Sequence, residues 1–323
     1  METIILAKYR YNLPQLEDGT YLSDGGMETA LIFNDGLDLP HFASFILLET
    51  EKGREHLVKY YESFLAIAKQ RGVGFILDTV TWRANRDWGA KLDYDAKALD
   101  RINLAAIDLI ADLRSKWQSA ATQCVLNGVV GPRGDGYKAG RMDASEAQDY
   151  HAAQIASFEG SQADMVSAIT MNTIFEAVGI ARAAEAARMP CVISFTVETD
   201  GKLAGGETLR QAIEATDEAT GGAPAYYMVN CAHPSHFEHA LAAEETWVKR
   251  VLGVRANAST KSHAELDESP TLDIGDPVDL GRRYHALRQS IPRLRVYGGC
   301  CGTDHRHIAA ICEAILQPKA LSA

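Results

Sequence analysis

Apolar residues in this chain fall into short continuous blocks separated by longer stretches of spaced apolar and polar positions. The blocks predict strands at Tyr21–Asp24, Phe75–Thr79, Cys124–Val130, Met165–Ile169, Val192–Val197, Tyr226–Asn230, Val251–Ala256 and Leu294–Tyr297. The stretches between them predict helices, among them Arg54–Arg71, Ala96–Gln118, Ser145–Gln162, Thr173–Arg188, Leu209–Asp217 and Pro277–Gln289, with a last one near Asp304–Leu316. Ser145 with Glu146, and Thr208 after Gly206, carry the signature of helix starts. Eight strands alternating with helices, without a long insertion, predict an α/β protein with a single (β/α)8 TIM barrel. A doubly wound sheet is the rival, because alternation alone does not close a barrel. No repeat, low-complexity tract or Pro-rich hinge divides the sequence, so 1–323 reads as one barrel domain.

Composition narrows the function classes. With 323 residues, 46% hydrophobic and 23% charged, the chain has the balance of a globular protein with a sizeable core. A net charge of −11 and the lack of a Lys/Arg block argue against nucleic acid as a partner. No apolar run is long enough to span a bilayer, and Met1 to Gln15 lacks the pattern of a secretory signal. Six scattered cysteines do not read as a secreted disulfide framework; a reducing cytoplasmic setting is expected. Oligomeric state is not legible.

The cysteines carry the chemistry. Cys300 and Cys301 are adjacent within Val296-Tyr297-Gly298-Gly299-Cys300-Cys301-Gly302-Thr303, and Cys231 ends the run Tyr226-Tyr227-Met228-Val229-Asn230. Adjacent thiols suit either one soft metal or a vicinal disulfide. In the barrel reading both segments end strands, at the face where such folds place active sites. Three thiolates with one open position describe a catalytic zinc site, since structural sites are closed by four protein ligands. Gly298 and Gly299 are expected to turn the backbone so that both following cysteines face one ion. Cys124, Cys191 and Cys312 read as small buried hydrophobes. His233, His236, His305 and His307 flank the cysteines, at helix-start positions expected to face solvent.

The pattern resembles the homocysteine S-methyltransferases, the zinc-dependent group that includes betaine–homocysteine and S-methylmethionine–homocysteine methyltransferases and the homocysteine domain of cobalamin-dependent methionine synthase. Asp24-Gly25-Gly26-Met27-Glu28-Thr29, Asn127-Gly128-Val129-Val130-Gly131-Pro132, Ser194-Phe195-Thr196-Val197 with Gly205-Gly206, Val229-Asn230-Cys231 and the paired-cysteine segment are similar to the family's motifs, in order. The resemblance implies a barrel, Zn2+ on Cys231, Cys300 and Cys301, and Asp24, Gly25 and Gly26 holding an amino-acid substrate. Thr79 and Trp82 fall at positions that line the family's site, and Trp82 has the chemistry to sit beneath a cationic donor. Asn230 has two readings, substrate contact or satisfaction of backbone groups.

The sequence departs from the family where substrate is read. Ile169 stands at the position of a Glu implied to pair with the substrate ammonium, Val80 where many relatives have Asn, and Arg83 where they have Gln or Tyr. A lost charge-assisted hydrogen bond costs ~1.5–3 kcal/mol. Either another acid such as Asp24 or Glu28 takes the amine, or the thiol is not homocysteine. The expected activity is methyl transfer from an onium donor, S-methylmethionine or S-adenosylmethionine first, with betaine or a partner's methylcobalamin also open, to the thiol of homocysteine, giving methionine. The partners are then a small-molecule thiol acceptor and a methyl donor. The rivals are transfer to another thiol, a non-catalytic zinc- or thiol-binding relative, and a redox switch at Cys300 and Cys301.

Overall fold

A computed structural model of the chain describes residues 7–241, 245–291 and 293–317. Eight parallel strands close into a barrel in sequence order: β1 (Tyr21–Leu22), β2 (Gly74–Asp78), β3 (Cys124–Val130), β4 (Met165–Met171), β5 (Cys191–Phe195), β6 (Tyr226–Asn230), β7 (Val251–Ala256) and β8 (Val296–Gly299), with β1 pairing both β2 and β8. The helices are α1 (Met27–Phe33), α2 (Glu51–Arg71), α3 (Arg86–Ala90), α4 (Ala96–Trp117), α5 (Ala144–Glu159), α6 (Ile174–Ala186), α7 (Leu209–Thr220), α8 (Pro234–Leu241), α9 (His263–Asp267), α10 (Pro277–Ser290) and α11 (His305–Leu316). The barrel therefore replaces the open-sheet alternative. Among the described residues no helix is long and apolar enough to cross a membrane.

Every strand residue is buried, because parallel strands are covered by side chains inside the barrel and by helices outside. Alternation sorts the two layers. Tyr21, Ile76, Val125, Met165, Val192, Tyr226, Leu252 and Val296, one from each strand, pack together inside. Leu22, Phe75, Cys124, Val166, Cys191 and Tyr227 point out into the helix layer. Moving toward the strand C-termini, the inward positions turn polar. Asp78, Asn127 and Ser167 form a hydrogen-bonded belt, Asn127 Nδ2 donating to Asp78 at 2.6 Å and Ser167 Oγ to Asn127 Oδ1 at 3.0 Å. An apolar floor thus supports a polar mouth, which is where the barrel offers a site.

Most element boundaries agree with the sequence pattern, and the differences have physical causes. Strand β1 is only two residues long, although its hydrogen bonding to β8 runs on: the Ser23 amide donates to Tyr297 O at 2.9 Å and Asp24 O accepts from the Gly299 amide at 2.8 Å. Helix α2 starts at Glu51, where the Thr50 side chain accepts from the Gly53 amide. Helix α5 is capped by Asp143, not started at Ser145: the Asp143 carboxylate accepts from the Glu146 amide. Thr208 begins α7 through a capping box with Gln211. The strand at 294–297 shifts to 296–299. Gly298 and Gly299 are thus extended strand residues rather than the turn expected of them, and the left-handed turn falls to Gly302, at φ 79°.

Candidate metal and substrate site

The three cysteines meet at the C-terminal mouth. Their Sγ atoms all lie within 4.8 Å of one another, with Cys231 and Cys301 at 3.7 Å. Two sulfurs on one tetrahedral zinc, each at about 2.3 Å, stand about 3.8 Å apart, so the trio fits that ion. All six cysteines are free thiols. Cys124 and Cys191 lie buried at strand starts and Cys312 on α11, and burial pushes their thiols to about 11, about 12 and about 11. In the trio, Cys300 is held well below the usual thiol range by hydrogen bonds from Cys231 and Cys301. The same sharing pushes Cys231 and Cys301 up.

Local structure aims these sulfurs. Cys231 has φ 55°, a left-handed conformation uncommon for a non-glycine residue. It is held by its amide donating to Arg255 O at 3.1 Å and its carbonyl accepting from Asn257 Nδ2 at 3.0 Å and His263 Nε2 at 2.5 Å. His263 is fixed in turn by Glu198 at 2.8 Å and stacks on Tyr137, whose hydroxyl reaches Cys231 Sγ at 3.3 Å. Just after β8, the Cys300 amide donates to Ala256 O at 2.9 Å, and the Thr303 hydroxyl and amide close on Cys300 O at 2.7 and 3.0 Å. A side chain at Gly26 would run into Cys300 O, and one at Gly302 into Asp273 O. Gly26 therefore lets the first loop lie against the cysteine turn. Gly25 lies on the same loop, 2.7 Å from Thr303 O to an added Cβ.

The sulfurs open onto a cavity of about 560 Å³ whose lining includes Asp24, Glu28, Asp78, Thr79, Trp82, Arg83, Ile169 and Thr170. Arg255 bridges two buried carboxylates: Nη2 lies 2.5 Å from Asp24 Oδ1, and Nη1 pairs with Asp78 Oδ2. Tyr60 donates to Asp24 at 3.1 Å. Burial pushes the Asp24 carboxyl up, against the pull of Arg255 and Tyr60. Burial also raises Glu28, which accepts from Ser44 Oγ at 2.7 Å.

Ile169 and Thr170 both line the cavity because β4 bulges between Ala168 and Met171, with Thr170 at φ 66°. Asn230 holds that bulge. Its Oδ1 accepts from the Thr170 amide at 2.9 Å and Ser194 Oγ at 2.7 Å, and its Nδ2 donates to Thr170 Oγ1 at 2.9 Å. Asn230 is fully buried, outside the cavity lining, with its side chain satisfying the Thr170 amide. Thr79 Oγ1 accepts from the Val129 amide at 2.8 Å and pairs with Thr81 at 2.6 Å. Trp82 Nε1 donates to Ile169 O at 3.2 Å, and its ring carries the Arg83 guanidinium at 3.8 Å. A cationic donor on that face of Trp82 would meet Arg83 instead of open π surface. Of the flanking histidines, His305 is exposed as expected and His236 half-buried, whereas His233 and His307 are buried, the first bonded to Ser235, the second to Ile274 O at 2.8 Å and to Asp304. Burial lowers His233 to about 4.

The sequence matches the family model described as homocysteine S-methyltransferase over residues 21–315. The chain belongs to that family. Among solved structures it resembles the homocysteine methyltransferase MmuM from Escherichia coli. The oxidized form matches with a TM-score of 0.73 at 19% identity, covering 93% of this chain and 97% of that one. The metallated form matches at 0.71 and 19%, covering 94% and 98%. These likenesses establish a shared barrel. No curated protein matches the sequence. Within this family member, Arg255, Asp78, Tyr137, His263 and Trp88 also line the cavity, and none was singled out from the sequence. Only Arg255 carried a signal, as the charge inside the apolar run Val251–Ala256.

Proposed function

We infer that the protein is a zinc-dependent S-methyltransferase, a single barrel domain over 1–323, moving a methyl group from a sulfonium or other onium donor to the thiol of homocysteine. The observation that carries this reading is the convergence of three cysteine sulfurs within 4.8 Å at an open-mouthed cavity. Cys231, Cys300 and Cys301 would hold the ion. When bound, zinc supplies the Lewis acidity that keeps an acceptor thiol deprotonated near neutral pH. Transfer breaks the donor's C–S+ bond, whose electron pair stays on the donor sulfur, and forms a new S–CH3 bond; the thiol proton passes to solvent.

The chain's own residues hold and orient. A cavity of about 560 Å³ has room for two amino-acid-sized molecules. Asp24, Asp78 and Glu28 outnumber Arg255 and Arg83 in its walls, a balance that favours a cationic donor. S-Methylmethionine and S-adenosylmethionine are the first candidates. Ile169 supports a second reading, a thiol acceptor other than homocysteine, since an alkyl side chain cannot pair with an ammonium.

The test is zinc content together with an acceptor screen using both donors. The expected result is one zinc per chain and methylation of homocysteine or another thiol, with metal and transfer both lost in Cys231→Ala and Cys301→Ala. An active, zinc-free variant would contradict the reading. Zinc without turnover on any thiol would favour a binding role.

A further inference from the structure

Arg83 is a buried cation facing a cavity, with nothing anionic to hold it. It is 8% exposed and lines the cavity that holds the cysteines. Its guanidinium is stacked between two indoles, 3.8 Å from the Trp82 centroid and 3.7 Å from that of Trp88. Among the described residues no carboxylate lies in ion-pair reach; the hydrogen bond it makes is from Nη1 to Gly134 O at 3.1 Å. Nε is buried without a partner, and so is Nε1 of Trp88, which lines the same cavity. The nearby carboxylates are already engaged: Glu28 accepts from Ser44, and Asp135 from the Tyr137 amide at 2.8 Å. Burial lowers Arg83 to about 10, so it stays charged at neutral pH.

Buried donors in folded proteins are satisfied, and a charged one the more so. Two buried donors with no acceptor, one a guanidinium locked flat by two rings, make half of a hydrogen-bond set that an oxyanion completes. Elsewhere in the lining, Ile169 presents an alkyl surface at the bulge of β4 in place of an acid for an ammonium, and Asp24 and Asp78 are tied to Arg255. We propose that Arg83 and Trp88 form the seat for a substrate carboxylate, so that this protein reads its substrate by the acid group rather than by an ammonium. The substrate class is a sulfur compound carrying a carboxylate, with the amino group dispensable. The proposal rests on the cavity's being a substrate site, as in the methyltransferase reading, but not on bound zinc. The carboxylate can belong to the thiol acceptor or to the onium donor, and the test separates these.

Binding is measured by calorimetry on the metal-free chain, with matched probes that carry or lack the carboxylate. One pair is 4-(methylthio)butanoate and 4-(methylthio)butan-1-ol, standing for the acceptor; the other is 3-dimethylsulfoniopropionate and its methyl ester, standing for the donor. A preference for the acid of about ten- to one-hundred-fold is expected in one pair, the range for losing a charge-assisted hydrogen bond. Preference in the thioether pair assigns the carboxylate to the acceptor; preference in the sulfonium pair assigns it to the donor. Arg83→Met should remove the preference. Arg83→Lys should keep the charge and only part of the preference, and Trp88→Phe, which retains the stacked ring, should weaken the acid and leave the carboxylate-free probe unchanged. Equal binding of the carboxylate and carboxylate-free probes in both pairs, or a preference that survives in folded Arg83→Met, would overturn the proposal. Zinc content and methyl transfer are scored separately, so failure of the methyltransferase reading leaves this result standing.

Discussion

Replacing Arg255 with methionine tests whether the mouth of the barrel is held by charge balance. In the native protein one guanidinium serves Asp24 and Asp78, which are 2% and 5% exposed, while Arg255 itself is 8% exposed. Methionine keeps most of the side chain's length and removes the charge, leaving two buried carboxylates facing each other. Breaking a buried pair by removing one partner costs about 3–5 kcal/mol, chiefly the penalty of the abandoned charge. For a chain of this size that is a fall in Tm of roughly 4–7 °C. The loss has a defined pH dependence. The folded Asp24 carboxyl already lies above its ordinary value of 3.8 through burial, and Arg255 is the first force pulling it back. Without Arg255 it rises further. An acid whose folded pKa is raised leaves stability intact below its unfolded pKa and removes it as pH rises through the folded value. The gap between variant and native protein should therefore be small near pH 4 and widen toward pH 8. Chemical unfolding at pH 5, 6.5 and 8 measures it. A gap under about 1 kcal/mol, or one constant with pH, would refute the reasoning. The neutral triple variant Asp24→Asn, Asp78→Asn, Arg255→Met should recover much of the loss, since no buried charge is left unpaired.

Two further substitutions probe how the sulfurs are aimed. His263→Ala removes the 2.5 Å hydrogen bond to the Cys231 carbonyl, and zinc affinity should fall by about ten- to one-hundred-fold while the fold persists, as read by competition with a chelator and by circular dichroism. Gly302→Ala imposes a side chain at φ 79° and against Asp273 O; the expected loss is at least 1–2 kcal/mol, and an unchanged Tm with unchanged zinc affinity would argue against that turn as the device that presents Cys301.

The barrel was legible because seven of its strands are continuous apolar runs, the mark of strands buried on both faces. The eighth, β1, is two residues long and stood out only through the Asp24-Gly25-Gly26 segment that follows it. The short helices α1, α3 and α9 escaped notice, since five to seven residues carry too few turns for a helical period to register. The cysteine trio was legible from residue type and glycine context. The charge cluster was not, because Arg255 lies 231 residues from Asp24 and 177 from Asp78, and only barrel closure brings them together. The bulge in β4 was likewise hidden. It depends on a left-handed Thr170 pinned by Asn230, a residue for which the sequence left substrate contact and backbone satisfaction both open. Trp82 kept its place in the cavity, but the residue after it, read as a departure from the family, turned out to occupy its ring.

The central claim is that three cysteines present a zinc ion with one position open to a substrate sulfur. X-ray absorption at the zinc edge of the purified chain, before and after adding homocysteine or the best acceptor found in the screen, tests it most directly. The account predicts one zinc per chain with three sulfur neighbours at about 2.3 Å, rising to four when the thiol is added, and no such rise with a thioether of the same shape. A chain that binds no zinc under reducing conditions, or four sulfur neighbours before any thiol is added, would contradict it.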